Sequence, residues 1–234
     1  MFGRLPGLLV LLIFVSRLAW CGSSDDSVVS ELLKIGEVYE KSKCYKGAIG
    51  FYEKVLKKHP DTTLAPLIKF RIGNCFSELG EYDEALSIYR EIEKEYPNSE
   101  YAPQACLKEG SILAELRRYD ESLQVFEKFI KNYPNNEKLA YAFYMKARVL
   151  REKWLRSELK HILRVDMDME RKVIEAYKTY IKKFPQDEFV EQAFNDLEDT
   201  IYTCEDSMFA KSLISSELYG RLLCYIYRKL HRRL

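Results

Sequence analysis

Residues 73–97 read GNCFSELGEYDEALSIYREIEKEYP. The chain carries the same pattern at 36–60 (GEVYEKSKCYKGAIGFYEKVLKKHP) and at 110–134 (GSILAELRRYDESLQVFEKFIKNYP), each copy 37 residues from the next. Every copy opens on a glycine (Gly36, Gly73, Gly110). A large apolar residue follows three positions on (Tyr39, Phe76, Leu113), a tyrosine nine on (Tyr45, Tyr82, Tyr119) and a small residue twelve on (Ala48, Ala85, Ser122). An aromatic stands sixteen on (Tyr52, Tyr89, Phe126), and a proline closes each copy at 24 (Pro60, Pro97, Pro134). A small residue lets two helix backbones approach, and the aromatic fills the space beside it. Proline stops the second helix because it has no N–H and its ring clashes with the preceding turn. Each copy is therefore expected to be a pair of helices, and the chain all-α.

This order resembles the tetratricopeptide repeat, with its G-x-x-Y, A-x-x-x-F and terminal P. The resemblance implies a tetratricopeptide-repeat solenoid of about five helix pairs, over residues 28–234. In the fourth unit Ala147 keeps the step of 37, but the next Phe184-Pro185 lies 14 residues late, as do Val173 and Tyr177. An insertion near 153–168 between the two helices accounts for this. No Pro or Gly stops the first helix, which is expected to run through Trp154 to about Leu163. Asp166 or Asp168 is expected to cap the second, with Glu170 near its positive end. The fifth unit keeps register at Ala210 but has no closing proline, and 208–230 reads as one long helix ending in Arg228, Lys229, His231, Arg232 and Arg233. It is either a basic cap of the stack or an exposed helix that docks a partner through Leu218, Leu222 and Tyr225.

Residues 1–20 contain no acidic side chain, a basic Arg4 and the apolar run LLVLLIFV at 8–15. That run is short of a membrane span but fits a secretory leader. Leu18-Ala19-Trp20-Cys21 follows. The spacing resembles a bacterial lipoprotein signal and implies acylation of Cys21, although Trp20 and Arg17 depart from the usual box. A leader cut elsewhere, or an uncleaved anchor, is the alternative. Residues 21–27 are expected to be a short flexible tether. Gly22 in place of the inner-membrane retention Asp implies, by the lipoprotein rule, the periplasmic face of the outer membrane.

With 37 basic and 36 acidic side chains, the balance gives no push toward nucleic acid, and no nucleic-acid partner is expected; the basic tail after Arg221 is the one exception to neutrality and suits anionic headgroups. Cys44, Cys75, Cys106, Cys204 and Cys224 are widely spaced with no C-x-x-C, which suggests small core residues over a disulfide framework or zinc site. His59, His161 and His231 stand on unrelated units, and His59 occupies the slot of Tyr96 and Tyr133. There is no P-loop, G-x-S-x-G or H-E-x-x-H. The sequence names no cofactor, metal set or catalytic residue.

The first helix of each pair is expected to line an inner groove through the first and fourth positions after its marker: Glu37/Glu40, Asn74/Ser77, Ser111/Ala114 and Arg148/Arg151. Leu33, Phe70, Leu107 and Tyr144, three before the marker, are expected to add apolar surface. Such a groove suits an extended or helical peptide; the alternative is an ordinary solvated face.

Four features resemble the BamD family of outer-membrane assembly lipoproteins: the signal ending at Cys21, the run YPNSEYA at 96–102, the run YAFYMKA at 141–147, and the insertion ending Val165-Asp166 before a helix that reaches Phe184-Pro185. The long unit is fourth here and third in that family, and the last family helices are missing. The resemblance implies a non-catalytic scaffold of the β-barrel assembly machinery. Its partners would be a BamA-like barrel protein, other machine subunits, unfolded outer-membrane clients and, through the lipid, the membrane. A periplasmic tetratricopeptide protein of the Tol–Pal system is the rival, though no coiled coil precedes the repeats. A hydrolase built on helical repeats is a second rival, for which the sequence offers no nucleophile and base.

Overall fold

The computed structural model describes residues 24–158 and 167–203, with nine α-helices and no strand among them. These are α1 (Ser24–Lys41), α2 (Tyr45–Lys58), α3 (Ala65–Glu78), α4 (Tyr82–Glu95), α5 (Tyr101–Glu115), α6 (Tyr119–Asn132), α7 (Leu139–Glu158), α8 (Met167–Lys183) and α9 (Val190–Thr203). They make four consecutive helix pairs and the first helix of a fifth. The leader, Cys21, Cys204, Cys224, residues 159–166 of the insertion, and Leu218, Leu222 and Tyr225 lie outside the described residues. Two compact units divide the chain between Ala105 and Cys106, within α5.

The marker glycine sits where a pair closes. A Cβ on Gly73 would stand 2.8 Å from Tyr89 Cε1, and one on Gly110 2.9 Å from Phe126 Cζ. The Tyr52 ring crowds Gly36 in the same way. Tyr52, Tyr89 and Phe126 are fully buried, so the missing methyl is replaced by the edge of an aromatic ring. Each such burial contributes about 1.5–3 kcal/mol. In the fourth pair Ala147 and Tyr177 are both fully buried. The extra sequence between them appears as a longer α7, of 20 residues, and a longer α8, of 17.

The turn inside each of the first three pairs has one geometry. Lys43, Gly80 and Arg117 are 37 apart and all left-handed, at φ 56°, 75° and 61°. One residue later a backbone N–H reaches back across the turn: Cys44 to the Tyr39 carbonyl (2.9 Å), Glu81 to Phe76 (3.0 Å) and Arg118 to Leu113 (2.8 Å). These are Schellman closures, which satisfy carbonyls that the helix end would orphan. In the fourth pair the equivalent position is Trp154, 1 % exposed and inside α7. A buried indole cannot adopt the left-handed turn without strain, and the helix continues.

The turn after each pair is equally regular. His59, Tyr96 and Tyr133 cap α2, α4 and α6 at φ −127°, −129° and −125° with ψ 65°, 52° and 54°. Their N–H groups still bond Val55, Ile92 and Phe129. The proline that follows each one drives its backbone out of the helical region.

The first helix starts earlier than the sequence reading has it. Residues 24–27 of the expected tether are helical, and Asp26 is anchored. Its carboxylate accepts from Thr62 Oγ1 and Thr63 Oγ1, both at 2.6 Å, and from the Thr63 N–H at 3.2 Å. The Thr62 and Thr63 hydroxyls hold this carboxyl below its usual range. An acidic first turn at a helix N-terminus is favourable in any case.

Two outcomes follow for stability. Gly73→Ala, which in an open helix would stabilise, is expected to cost about 1–3 kcal/mol in urea unfolding because Tyr89 occupies the methyl's place. Lys43→Gly and Arg117→Gly are each expected to gain about 1 kcal/mol, seen as a raised melting temperature, while Gly80→Ala loses a similar amount.

Candidate functional site

In the first unit the expected groove positions are held internally. Glu37 and Glu40 of α1 meet Arg71 of α3, with Arg71 Nη2 2.7 Å from Glu37 Oε1 and Nη1 3.3 Å from Glu40 Oε2. Tyr52 donates to Glu40 at 2.5 Å. Asn74 accepts from the Tyr89 hydroxyl at 2.8 Å. Arg71 joins the first pair to the second through charge-assisted bonds, while the Tyr52 and Tyr89 hydroxyls each bond within their own pair.

In the second unit three of the equivalent positions, Ser111, Ala114 and Arg148, line an open groove. Ser111, Ala114 and Glu115 of α5, Arg117 in the turn, Tyr119 of α6, and Tyr141, Met145, Arg148, Val149, Glu152 and Arg156 of α7 line a groove of about 480 Å³. Met145 and Val149 are buried and form its apolar floor. Arg148 is exposed, touches the Met145 sulfur at 3.9 Å and lies over the Tyr144 ring at 5.9 Å. Among the described residues, Arg117, Arg148 and Arg156 have no carboxylate at ion-pair distance. Three guanidiniums beside two tyrosines make a surface suited to carboxylates and to planar or apolar groups. Arg151, expected in the same groove, turns instead to α9, with Nε 3.2 Å from Thr200 Oγ1 and Nη2 3.5 Å from Asp199.

Tyr144 belongs to the core, not to the groove. It is 3 % exposed, stacks on Phe189 at 5.0 Å, and points its hydroxyl at Asp196 (3.4 Å), which also accepts from Tyr177 at 3.1 Å. Leu33 and Leu107 are buried likewise. The reason is geometric: a residue three before the marker shares the marker's helix face, and that face meets the partner helix. Burial, reinforced by the Asp196 charge, pushes the Tyr144 phenol up to about 12 and raises Tyr177 further.

Of the cysteines, Cys75 and Cys106 are buried, but Cys44 is exposed, against expectation. It occupies the turn after left-handed Lys43, where no partner helix covers it. Burial pushes the Cys75 thiol up to about 12, so it is no nucleophile at neutral pH. Among the described residues no cluster of His, Cys, Asp or Glu could hold a metal ion. None of the described helices is long and apolar enough to cross a membrane.

A family model for outer membrane lipoproteins, YfiO, matches residues 69–217. The chain belongs to that family. A tetratricopeptide model matches residues 33–100. Comparison with curated proteins gives no match. Among solved structures, MamA of Desulfovibrio magneticus RS-1 is similar at 15% identity and TM-score 0.59, over 88% of this chain and 97% of that one. Tetratricopeptide-like repeats of a putative kinesin light chain from Podosopora anserina are similar at 8% identity and TM-score 0.59, over 88% and 98%. YrrB, described as a tetratricopeptide protein with an unusual peptide-binding site, is similar at 13% identity and TM-score 0.53, over 91% and 96%. At these identities the likeness concerns the fold. Family and fold together make this chain a protein-interaction scaffold associated with the outer membrane.

The tyrosines provide a solution check. Tyr52, Tyr89, Tyr144, Tyr177 and Tyr180 all have raised values, chiefly from burial. A folded phenol that keeps its proton above the ordinary value near 10 leaves stability unchanged below that pH. Stability then falls as pH rises further, because the unfolded chain ionises first. Phenolate absorbance is expected to show exposed tyrosines titrating near 10 and the buried set appearing later, together with loss of helical circular dichroism. A single titration near 10 with the helices intact would contradict this packing.

Proposed function

We propose that this protein is a non-catalytic scaffold of the machinery that assembles β-barrel proteins into the outer membrane. The observation that carries this reading is the family match over 69–217, which spans most of the second unit and its lengthened fourth pair. In this reading residues 1–20 are a cleaved leader, Cys21 carries acyl chains, and the repeats stand on the periplasmic face of the outer membrane. The partners are a BamA-like barrel protein, other subunits of the machine and unfolded barrel clients.

The groove around Arg148 is the contact surface on the described part of the chain. Its guanidiniums recognise carboxylates on a partner segment, while Tyr119, Tyr141 and the Met145–Val149 floor take apolar side chains. The second contact is the segment bearing Leu218, Leu222 and Tyr225. Work of this kind is holding and positioning, for which no bond need be made or broken.

A pull-down from solubilised membranes tests the proposal. Recovery of a large barrel protein with periplasmic domains is the expected result, and recovery of Tol or Pal components would overturn it. Arg148→Glu with Arg156→Glu is expected to lower recovery of the barrel protein about tenfold or more with helicity unchanged, since like charges are then opposed.

A further inference from the structure

The large apolar side chains left exposed among the described residues are Val28, Ile35, Val38, Tyr39 and Leu116, the first four at 49%, 47%, 60% and 39%. Those four are all on α1. They stand at i, i+7, i+10 and i+11, which is one side of a helix. The opposite side of α1 packs its own unit through Val29 and Leu33, with half-buried Leu32 between the two faces. A repeat that ends a stack ordinarily shows a polar outer face; α1, the first described helix, shows an apolar stripe about three turns long.

Three occupants are conceivable, and charge and chain length separate them. The α1 sequence has five acidic and two basic side chains, so a second copy of the same helix would meet it with like charge. The same balance disfavours an anionic surface. Glu31 pairs with Lys34 at 2.7 Å, and Glu37 and Glu40 are engaged by Arg71, which offsets part of that charge and leaves the helix with a negative balance. What remains is an apolar strip with no cationic excess to hold an anionic headgroup, which matches a zwitterionic headgroup layer. Chain length points the same way. Cys21 is three residues before Ser24, so an acylated Cys21 can lie at most about 10 Å from the first turn of α1. At that reach the local concentration of lipid is so high that a weak apolar strip suffices to dock.

We propose that Val28, Ile35, Val38 and Tyr39 lay α1 against a zwitterionic bilayer surface, adding a second membrane contact beside the acyl chains. The proposal rests on acylation of Cys21, and the test separates the two. The lipoprotein purified from membranes is reconstituted into phosphatidylcholine vesicles with brominated acyl chains, as the parent, as Ile35→Trp and as Ser30→Trp. Trp154 is 1 % exposed and supplies a constant background. The added emission of Ile35→Trp is expected to fall by about half or more, as for a side chain within the headgroup–acyl boundary. Exposed Ser30→Trp, on the far side of the helix, is expected to keep its emission. Val38→Trp repeats the measurement should the first variant misfold. Absence of quenching in acylated protein overturns the α1 contact alone. Emission that follows protein density, and not bromine, overturns it in favour of a second copy. An intact mass with unmodified Cys21 overturns the anchor and the contact together.

Discussion

Every helix pair here depends on one close approach, the edge of a buried aromatic ring set against a position without room for a larger side chain. Tyr52 on Gly36, Tyr89 on Gly73 and Phe126 on Gly110 are the same contact made three times. It fixes the rotation of each second helix on its first, because a ring cannot slide past a backbone it already touches. Once that rotation is set, the other slots follow. The small residue four before the ring lies at the crossing, and the helix ends fall where a left-handed turn and a proline are placed to receive them. In the fourth pair alanine replaces glycine, and Ala147 and Tyr177 in the matching slots are both fully buried, so the fold accepts a longer connection.

What the crossing leaves over decides which surfaces remain for partners. In the first unit Glu37, Glu40, Arg71 and Tyr52 spend their polar groups on one another. In the second, no described carboxylate answers the guanidiniums of Arg117, Arg148 and Arg156. The same repeat slots therefore serve cohesion in one part of the chain and recognition in another. The sequence change responsible is small: Glu37 and Asn74 at the first slot give way to Ser111 and Arg148.

The helix pairs were legible in the sequence because their determinants are local and periodic. Gly, aromatic and Pro at a constant step can be counted without knowing what touches what. The groove was only half legible. Ser111, Ala114 and Arg148 were found by slot, but Arg117, Tyr119, Tyr141 and Arg156 reach it from a turn and two helices whose juxtaposition is tertiary. The i, i+4 series Arg148, Glu152, Arg156 on α7 was the one available signal. Tyr144 was misplaced because a slot count ignores that three residues before the glycine means the same face as the glycine. Cys44 was misplaced because composition places cysteines inside, while the turn it follows is open to solvent. The early start of α1 was hidden by a Gly-Ser-rich opening whose acidic residues in fact suit a helix N-terminus.

Arg117 combines two roles that pull in opposite directions. Its backbone is held left-handed, a conformation that glycine adopts freely at Gly80 in the neighbouring pair, while its guanidinium lines the open groove. Lys43 bears the same backbone burden but lies outside that groove. Lineages adapting to heat would thus have an easy substitution at 43 and a compromised one at 117. The identity of the residue at 117 should then report how strongly natural selection has favoured the groove over thermal robustness.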